Sequence, residues 1–219
     1  MMRIITGTAR GTKLVTLEGG NTRPTAERVK EAVFSMLQFE LEGRAVLDLF
    51  AGSGQMALEA LSRGAARATL IDASREAIAA IMENAKKTHL FERCRISCAD
   101  WAAFVRGAQG RETYDTVFLD PPYGDGILPS VLLKLHEAGI LAHGAAVVCE
   151  TAEEEVSRQR TRGMSREELA AREEAIVLRD VFGDDAALSE KFTVERTAAY
   201  GRTRITVLRP VLPDVTAEV

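Results

Sequence analysis

The chain has 219 residues, 46% of them hydrophobic and 27% charged, with a formal net charge of −4. These are ordinary values for a soluble globular protein, with room for one α/β domain and an appendage. No apolar run reaches the ~18 residues of a membrane span. The opening Met1-Met2-Arg3-Ile4-Ile5-Thr6-Gly7 lacks the apolar core of a secretory signal, so no membrane association and a cytoplasmic location are expected.

The opening stretch Arg3–Leu17 sets Gly7 and Gly11 between β-prone residues and predicts a hairpin or ribbon. Thr25 to Gln38 predicts a helix, because Val29, Val33, Met36 and Leu37 share one face. A repeating pattern follows. Strands are expected at Ala45–Leu49, Ala68–Ile71, Cys94–Ser97, Thr116–Leu119 and Ala145–Cys149. Helices are expected at Gln55–Arg63, Arg75–Thr88, Trp101–Arg106 and Leu128–Glu137. Such alternation argues for a parallel sheet buried on both faces by helices. Residues 151–190 are charged and helical in composition, with a capping-box pattern at Ser165-Arg166-Glu167-Glu168, and read as an inserted arm. Lys191–Ala199 and Thr203–Leu208 flank Gly201 and predict a terminal antiparallel hairpin. The whole is the layout of a class I S-adenosylmethionine-dependent methyltransferase: a Rossmann-like α/β fold with a mostly parallel seven-stranded sheet, a C-terminal antiparallel hairpin and an N-terminal β-ribbon. Residues 1–24 would be the ribbon and 25–219 the enzyme domain, carrying its insertion at about 151–190.

Charge is unevenly spread. Residues 1–30 hold six cations (Arg3, Arg10, Lys13, Arg23, Arg28, Lys30) against Glu18 and Glu27, a local excess of +4. Residues 151–190 hold eleven acids and six bases. Distribution governs a polyanion partner more than the sum does. The cysteines (Cys94, Cys98, Cys149) and histidines (His89, His136, His143) show no metal-ligand spacing, so reduced thiols and no metal are expected.

The first strand runs into Ala51-Gly52-Ser53-Gly54 and then a helix start. Glycines let a backbone approach a ligand, and the helix N-terminus offers donors and partial positive charge to a carboxylate. Asp48 supplies negative charge where an amino group would sit. Asp72, followed by Ala73, ends the second strand 20 residues after Gly52 and suits ribose hydroxyls. Asp100 and Trp101 end the third, where a carboxylate can accept from an adenine amine and an indole can pack on the ring. Together these fit S-adenosylmethionine. A dinucleotide fingerprint also fits Gly52-Ser53-Gly54-Gln55-Met56-Ala57. Against it, Asp48 would face a pyrophosphate and Asp100 would have no role. The acids could also merely cap helices, Asp100 most of all.

The sharpest signal is Asp120-Pro121-Pro122-Tyr123 after the fourth strand. Two prolines stiffen the turn and remove N–H groups, leaving the Asp120 carboxylate and the Pro121 carbonyl as acceptors. An exocyclic base amine has two N–H donors, and gripping both aims its nitrogen at a methyl donor. Asp120 could also take the released proton. Tyr123 offers a face on which a flipped base could stack.

The Asp-Pro-Pro-aromatic signature resembles that of amino-methyltransferases acting on nucleobases, and of some acting on glutamine amides. Four further stretches narrow the likeness. They are Arg3-Ile4-Ile5-Thr6-Gly7-Thr8-Ala9-Arg10-Gly11-Thr12-Lys13-Leu14, Arg23-Pro24-Thr25-Ala26-Glu27-Arg28-Val29-Lys30-Glu31-Ala32-Val33-Phe34, and Leu47-Asp48-Leu49-Phe50-Ala51-Gly52-Ser53-Gly54 with Leu58-Glu59-Ala60-Leu61-Ser62-Arg63-Gly64. With these the chain resembles the bacterial RsmD family over about residues 2–150 and the terminal hairpin. That resemblance implies S-adenosylmethionine as donor and the N2 amine of a 16S ribosomal RNA guanine as acceptor. It also implies an assembling small subunit as partner, Arg10 and Lys13 on phosphates, and Arg23, Thr25 and Arg28 near the target nucleotide. A monomer is expected. The long acidic connection at 151–190 departs from the family's usual short one. Alternatives left open are an adenine or cytosine amine in DNA or other RNA, a protein glutamine, and a non-catalytic RNA-binding factor.

Overall fold

The structure is a computed structural model that describes residues 2–17, 24–122, 126–152, 163–183, 185 and 187–213. In chain order the elements are α1 (Pro24–Met36), β1 (Ala45–Asp48), α2 (Gln55–Ser62), β2 (Arg67–Asp72), α3 (Arg75–Lys87), β3 (Cys94–Cys98), α4 (Trp101–Ala108), β4 (Tyr114–Leu119), α5 (Leu128–Glu137), β5 (Leu141–Ala152), α6 (Arg166–Val177), α7 (Leu188–Lys191), β6 (Phe192–Tyr200) and β7 (Thr203–Pro210). They match the elements expected from periodicity, with end shifts. The largest is β5, which begins at Leu141 because Tyr114 pairs there before the ladder shifts register.

The sheet order is β3-β2-β1-β4-β5-β7-β6. The first five strands are parallel, and β7 runs antiparallel to both β5 and β6. β1 is buried at all four residues, as a central strand covered on both faces must be. Alternate side chains enter two cores. Val46, Leu70, Phe118 and Val148 join α1, α2, α3 and the N-terminal segment. Leu47, Ile71, Leu119 and Cys149 join α4, α5 and the end of the connection before β6.

Local chemistry sets the helix ends. Ser74 caps α3, accepting from the Ala77 amide at 3.3 Å, with Glu76 in its first turn and Lys86 and Lys87 in its last. The expected capping box on α6 forms in full: Ser165 Oγ accepts from the Glu168 amide at 3.2 Å and the Glu168 carboxylate accepts from the Ser165 amide at 2.8 Å. Those bonds hold the Glu168 carboxyl below its usual range. The connection is not wholly an exposed arm, because its Val181, Phe182 and Leu188 are buried in the second core.

The N-terminal segment forms a hairpin-shaped clasp rather than a regular ribbon. A single antiparallel bridge joins Arg3 to Lys13. Ile4, Gly11 and Leu14 donate their amides across the hairpin to the carbonyls of Thr12, Ile4 and Met2, and other polar groups of the clasp turn to helices. Ile5 and Thr6 donate their amides to the Glu59 carboxylate at 2.7 and 2.9 Å. Thr8 donates its amide to the Ser62 carbonyl at 2.8 Å, and Ala9 donates to Ser62 Oγ at 2.9 Å. Gly7 (φ +88°) passes so close that an added Cβ would lie 1.8 Å from the Ser62 carbonyl oxygen. Asn84 of α3 bonds both the amide and the carbonyl of Val15.

Glu59 is fully buried, 3.5 Å from the Lys30 ammonium and 2.8 Å from the Arg63 guanidinium. Glu59→Ala leaves Lys30 buried without its anion and removes acceptors from two amides. It is expected to cost about 3–5 kcal/mol. Urea unfolding checks this, and the Lys30→Met/Glu59→Leu pair should recover much of the loss.

Candidate active site

Five acids stand at successive carboxyl ends of the parallel strands: Asp48 on β1, Asp72 on β2, Asp100 after β3, Asp120 after β4 and Glu150 on β5. The strand order reverses direction between β1 and β4. In open α/β sheets a ligand crevice forms at such a switch point. The glycine turn leaves β1 on one side of it, and the Asp120-Pro121-Pro122 turn leaves β4 on the other.

Asp48 is buried, at 4% exposure. Its Oδ2 accepts from the Ala57 amide at 3.3 Å, so it caps α2 from β1, because Gly54 at the N-cap position has no side chain to do so. Gly54 takes φ +76° and packs against Leu70 and Ile81, where a Cβ would be as close as 3.0 Å. Burial raises the Asp48 carboxyl to about 7, opposed by the Ala57 amide and assisted by the Asp72 charge. Gly52 (φ +53°) faces open space. Ala51 and Ser53 are buried; the Ser53 carbonyl accepts from Asn84 Nδ2 at 2.9 Å, and its hydroxyl donates to Met2 Sδ at 3.2 Å.

Asp72 accepts from the Gly52 amide at 2.8 Å through one oxygen and from the Ser74 amide at 2.8 Å through the other. It braces the glycine turn against β2, with exposed Ala73 beside it. Asp100 is the N-cap of α4, accepting from the Ala103 amide at 2.9 Å. Trp101 is half-buried against the second core, and the Lys134 ammonium lies 5.1 Å from its ring centroid. A carboxylate has about four acceptor sites, so each of these acids keeps capacity for a ligand beside its structural bond.

Pro121 is buried and Pro122 exposed. Asp120 has its carboxyl raised well above the usual range, first by removal from water, then by the charges of Glu150 and Asp48. It stays open to solvent on one side, so water moderates the shift without changing its direction. Among the described residues no group of three or more His, Cys, Asp or Glu is placed to hold a metal ion.

The basic residues are spread out. Lys30 pairs with Glu59, and Lys86 lies near the Phe91 ring. α1 runs alongside α2 in the same direction, since Lys30 meets Glu59 and Phe34 meets Arg63 one turn later. The α1 start, with exposed Arg28 in its second turn, therefore lies at the crevice edge. The first arm of the clasp likewise advances along α2, away from the crevice. Its tip meets Ser62 at the far end of α2, placing exposed Arg10 roughly 12 Å down that helix and exposed Lys13 between. Arg23 and Tyr123 lie outside the described residues, as does the side chain of Thr25. Sequence reasoning missed Glu59, Ser62, Asn84 and Glu150. Glu59 had a visible signal, a lone charge inside the otherwise apolar Ala57–Leu61 run.

The sheet order, its antiparallel β7 and the acids at its switch point define a class I methyltransferase fold. The chain belongs to the RsmD family of methyltransferases. The family model described as Conserved hypothetical protein 95 matches residues 2–174, reaching into the long connection. Ribosomal RNA small subunit methyltransferase D of Escherichia coli K12 is 37% identical over 150 residues, 68% of this chain and 74% of that protein. YlbH of Bacillus subtilis is 36% identical over 150 residues, 68% of this chain and 82% of it. The solved structure of Escherichia coli yhhF matches with a TM-score of 0.71 at 27% identity, covering 95% of this chain and 97% of that one.

A carboxyl whose pKa is higher folded than unfolded stabilises the fold below its unfolded value of ~3.9 and loses that contribution as pH climbs through the folded value. For Asp48 the window runs from about pH 4 to about 7. Asp48→Asn keeps an acceptor for Ala57 but cannot ionise. Its stability should gain on wild type by about 2–3 kcal/mol between pH 5 and pH 8, read from urea unfolding at both values. Parallel curves would show that Asp48 does not titrate there.

Proposed function

We propose that the protein transfers a methyl group from S-adenosylmethionine to the exocyclic N2 amine of a guanine in small-subunit ribosomal RNA. The observation that carries this reading is the Asp120-Pro121-Pro122 turn opening at the switch point across from the glycine turn. The family membership supports methyl transfer, and the name of the Escherichia coli relative, a ribosomal RNA small subunit methyltransferase, supports ribosomal RNA.

The residues present suit the donor. The space in front of Gly52 is unfilled by protein, and a side chain there would narrow it. The α2 start favours a carboxylate. Asp48 would face the ammonium of the bound donor, and that positive charge would favour its ionised form. Asp72, with Ala73 beside it, keeps lone pairs for ribose hydroxyls. Asp100 keeps one oxygen for an adenine amine, with Trp101 as its apolar neighbour. When bound, S-adenosylmethionine supplies an electrophilic methyl on a sulfonium and its own leaving group.

Asp120 accepts one N–H of the target amine and the Pro121 carbonyl accepts the other, which turns the nitrogen lone pair toward the methyl. After transfer, the proton on that nitrogen passes to an Asp120 oxygen. A carboxyl raised above its ordinary value is a better proton acceptor, provided it is ionised at the working pH. Pro122 stiffens the turn, and Tyr123 is positioned in sequence to stack on the base. Arg23 immediately precedes α1 in sequence, Thr25 and Arg28 fall in its first two turns, and all three would meet the RNA near the target. Arg10 and Lys13 would meet phosphates farther along the clasp.

Labelled S-adenosylmethionine, undermethylated small subunits and nucleoside analysis test the reading directly. N2-methylguanosine is expected, and N6-methyladenosine would overturn the substrate. Asp120→Ala should lower kcat by about 10²–10⁴ while cofactor affinity changes little. Asp120→Asn keeps an acceptor oxygen, so it should retain part of the activity and lose the decline that wild type shows as pH falls through the raised Asp120 value. Arg10→Ala/Lys13→Ala should weaken RNA binding at all sequences and flatten the slope of log affinity against log salt by about 1–2, measured by filter binding.

A further inference from the structure

Glu150 has no part in the mechanism above, yet it stands beside its central residue. Leu119 pairs with Cys149 in the parallel β4–β5 ladder, so Asp120 and Glu150 follow side by side on strands about 4.8 Å apart. Leu119 and Cys149 both enter the second core. Alternation then turns Asp120 and Glu150 to the opposite face, the one shared with Asp48 and α2. Glu150 is half-buried there, and its charge is among the causes that lift the Asp120 carboxyl.

Resting on the function proposed above, we infer that Glu150 accepts the N1–H of the target guanine and thereby selects guanine over other amine-bearing bases. Guanine presents two donor groups side by side on its pairing edge, the N2 amine and N1–H. Adenine and cytosine present an amine beside a bare ring nitrogen. The Asp120-Pro121 turn offers acceptors to any of these amines and cannot tell them apart. A second carboxylate next to it matches the second donor of guanine and repels the lone pair of adenine N1 or cytosine N3. The donor-rich edge also enters beside two carboxylates of like charge, a setting that favours hydrogen donors over the bare lone pair of a ring nitrogen. The longer side chain of Glu150 reaches past Asp120 toward the ring, which suits N1 rather than the amine.

The probe is 2-aminopurine, which carries the same 2-amine beside an unprotonated N1. Small subunits are assembled with the methylated guanosine left in place or replaced by 2-aminopurine, and kcat/KM is measured on both with wild type and Glu150→Gln. The Gln amide can donate to a bare N1. Wild type is expected to prefer guanine by about tenfold or more, and Glu150→Gln to lower that ratio by about tenfold, with Glu150→Asp restoring part of it. An unchanged ratio overturns the inference. An equal loss on both substrates, with thermal unfolding as in wild type, also overturns it, since that marks a residue that only shapes the site. If wild type forms no N2-methylguanosine at all, the proposed function itself falls and this inference falls with it.

Discussion

A buried carboxylate in the middle of α2 holds the functional end of this molecule together. Glu59 has no exposed surface, and a charge in that setting is tolerable only when every lone pair finds a donor. Its donors come from three places: the amides of Ile5 and Thr6, Lys30 of α1, and Arg63 one turn down its own helix. Lys30 also donates to the Arg3 carbonyl, which closes the set. The desolvation of that ammonium outweighs the pull of Glu59 and lowers its pKa. One side chain thus fixes the direction of α1 along α2 and seats the N-terminal clasp. Asn84 repeats the arrangement at the other end, bonding Val15 and the Ser53 carbonyl at once, so the clasp and the glycine turn share a single anchor.

The acids at the sheet's carboxyl edge divide into two kinds. Asp48, Asp72 and Asp100 each hold a backbone amide of the turn or helix that follows. Capping and ligand binding are therefore not rival accounts of these residues. The structural bond fixes the direction of the carboxylate, and the oxygen capacity left over is what a ligand would use. Asp120 and Glu150 are of the other kind: they follow side by side on adjacent strands, and the charge of Glu150 is among the causes that raise the Asp120 carboxyl.

Much of this was legible in the sequence because the signals are local. Alternating strands and helices gave the element order, glycines marked the turn after β1, and consecutive prolines marked the turn after β4. Ser165 and Glu168 announced their capping box by spacing alone. What stayed hidden depends on contacts distant in the chain. Lys30 counts as one more cation in a basic N-terminus until Glu59, 29 positions later, is seen to bury it. Glu150 is an unremarkable strand residue until the β4–β5 register puts it beside Asp120. The hairpin expected at the N-terminus forms, with Ile4, Gly11 and Leu14 bonded across it, but the amides of Ile5, Thr6, Thr8 and Ala9 go to α2, and alternation of side chains cannot show that second set of partners.

The same geometry bears on how a net charge of −4 is compatible with the proposed polyanionic partner. The clasp with Arg10 and Lys13, and α1 with Arg28, cover the first core's face of the sheet. The connection after β5 is anchored on the opposite face, where Val181, Phe182 and Leu188 pack with α5 in the second core. The segment that follows α6 is thus anchored across the sheet from the basic residues, and the acids of α6 precede that anchor in the chain. Field from surface charge falls off within about a Debye length, roughly 8–10 Å at physiological salt, so the acidic side does little to cancel the basic one. Charge summed over the chain hides this, whereas charge assigned to sheet faces predicts which surface an RNA backbone would approach.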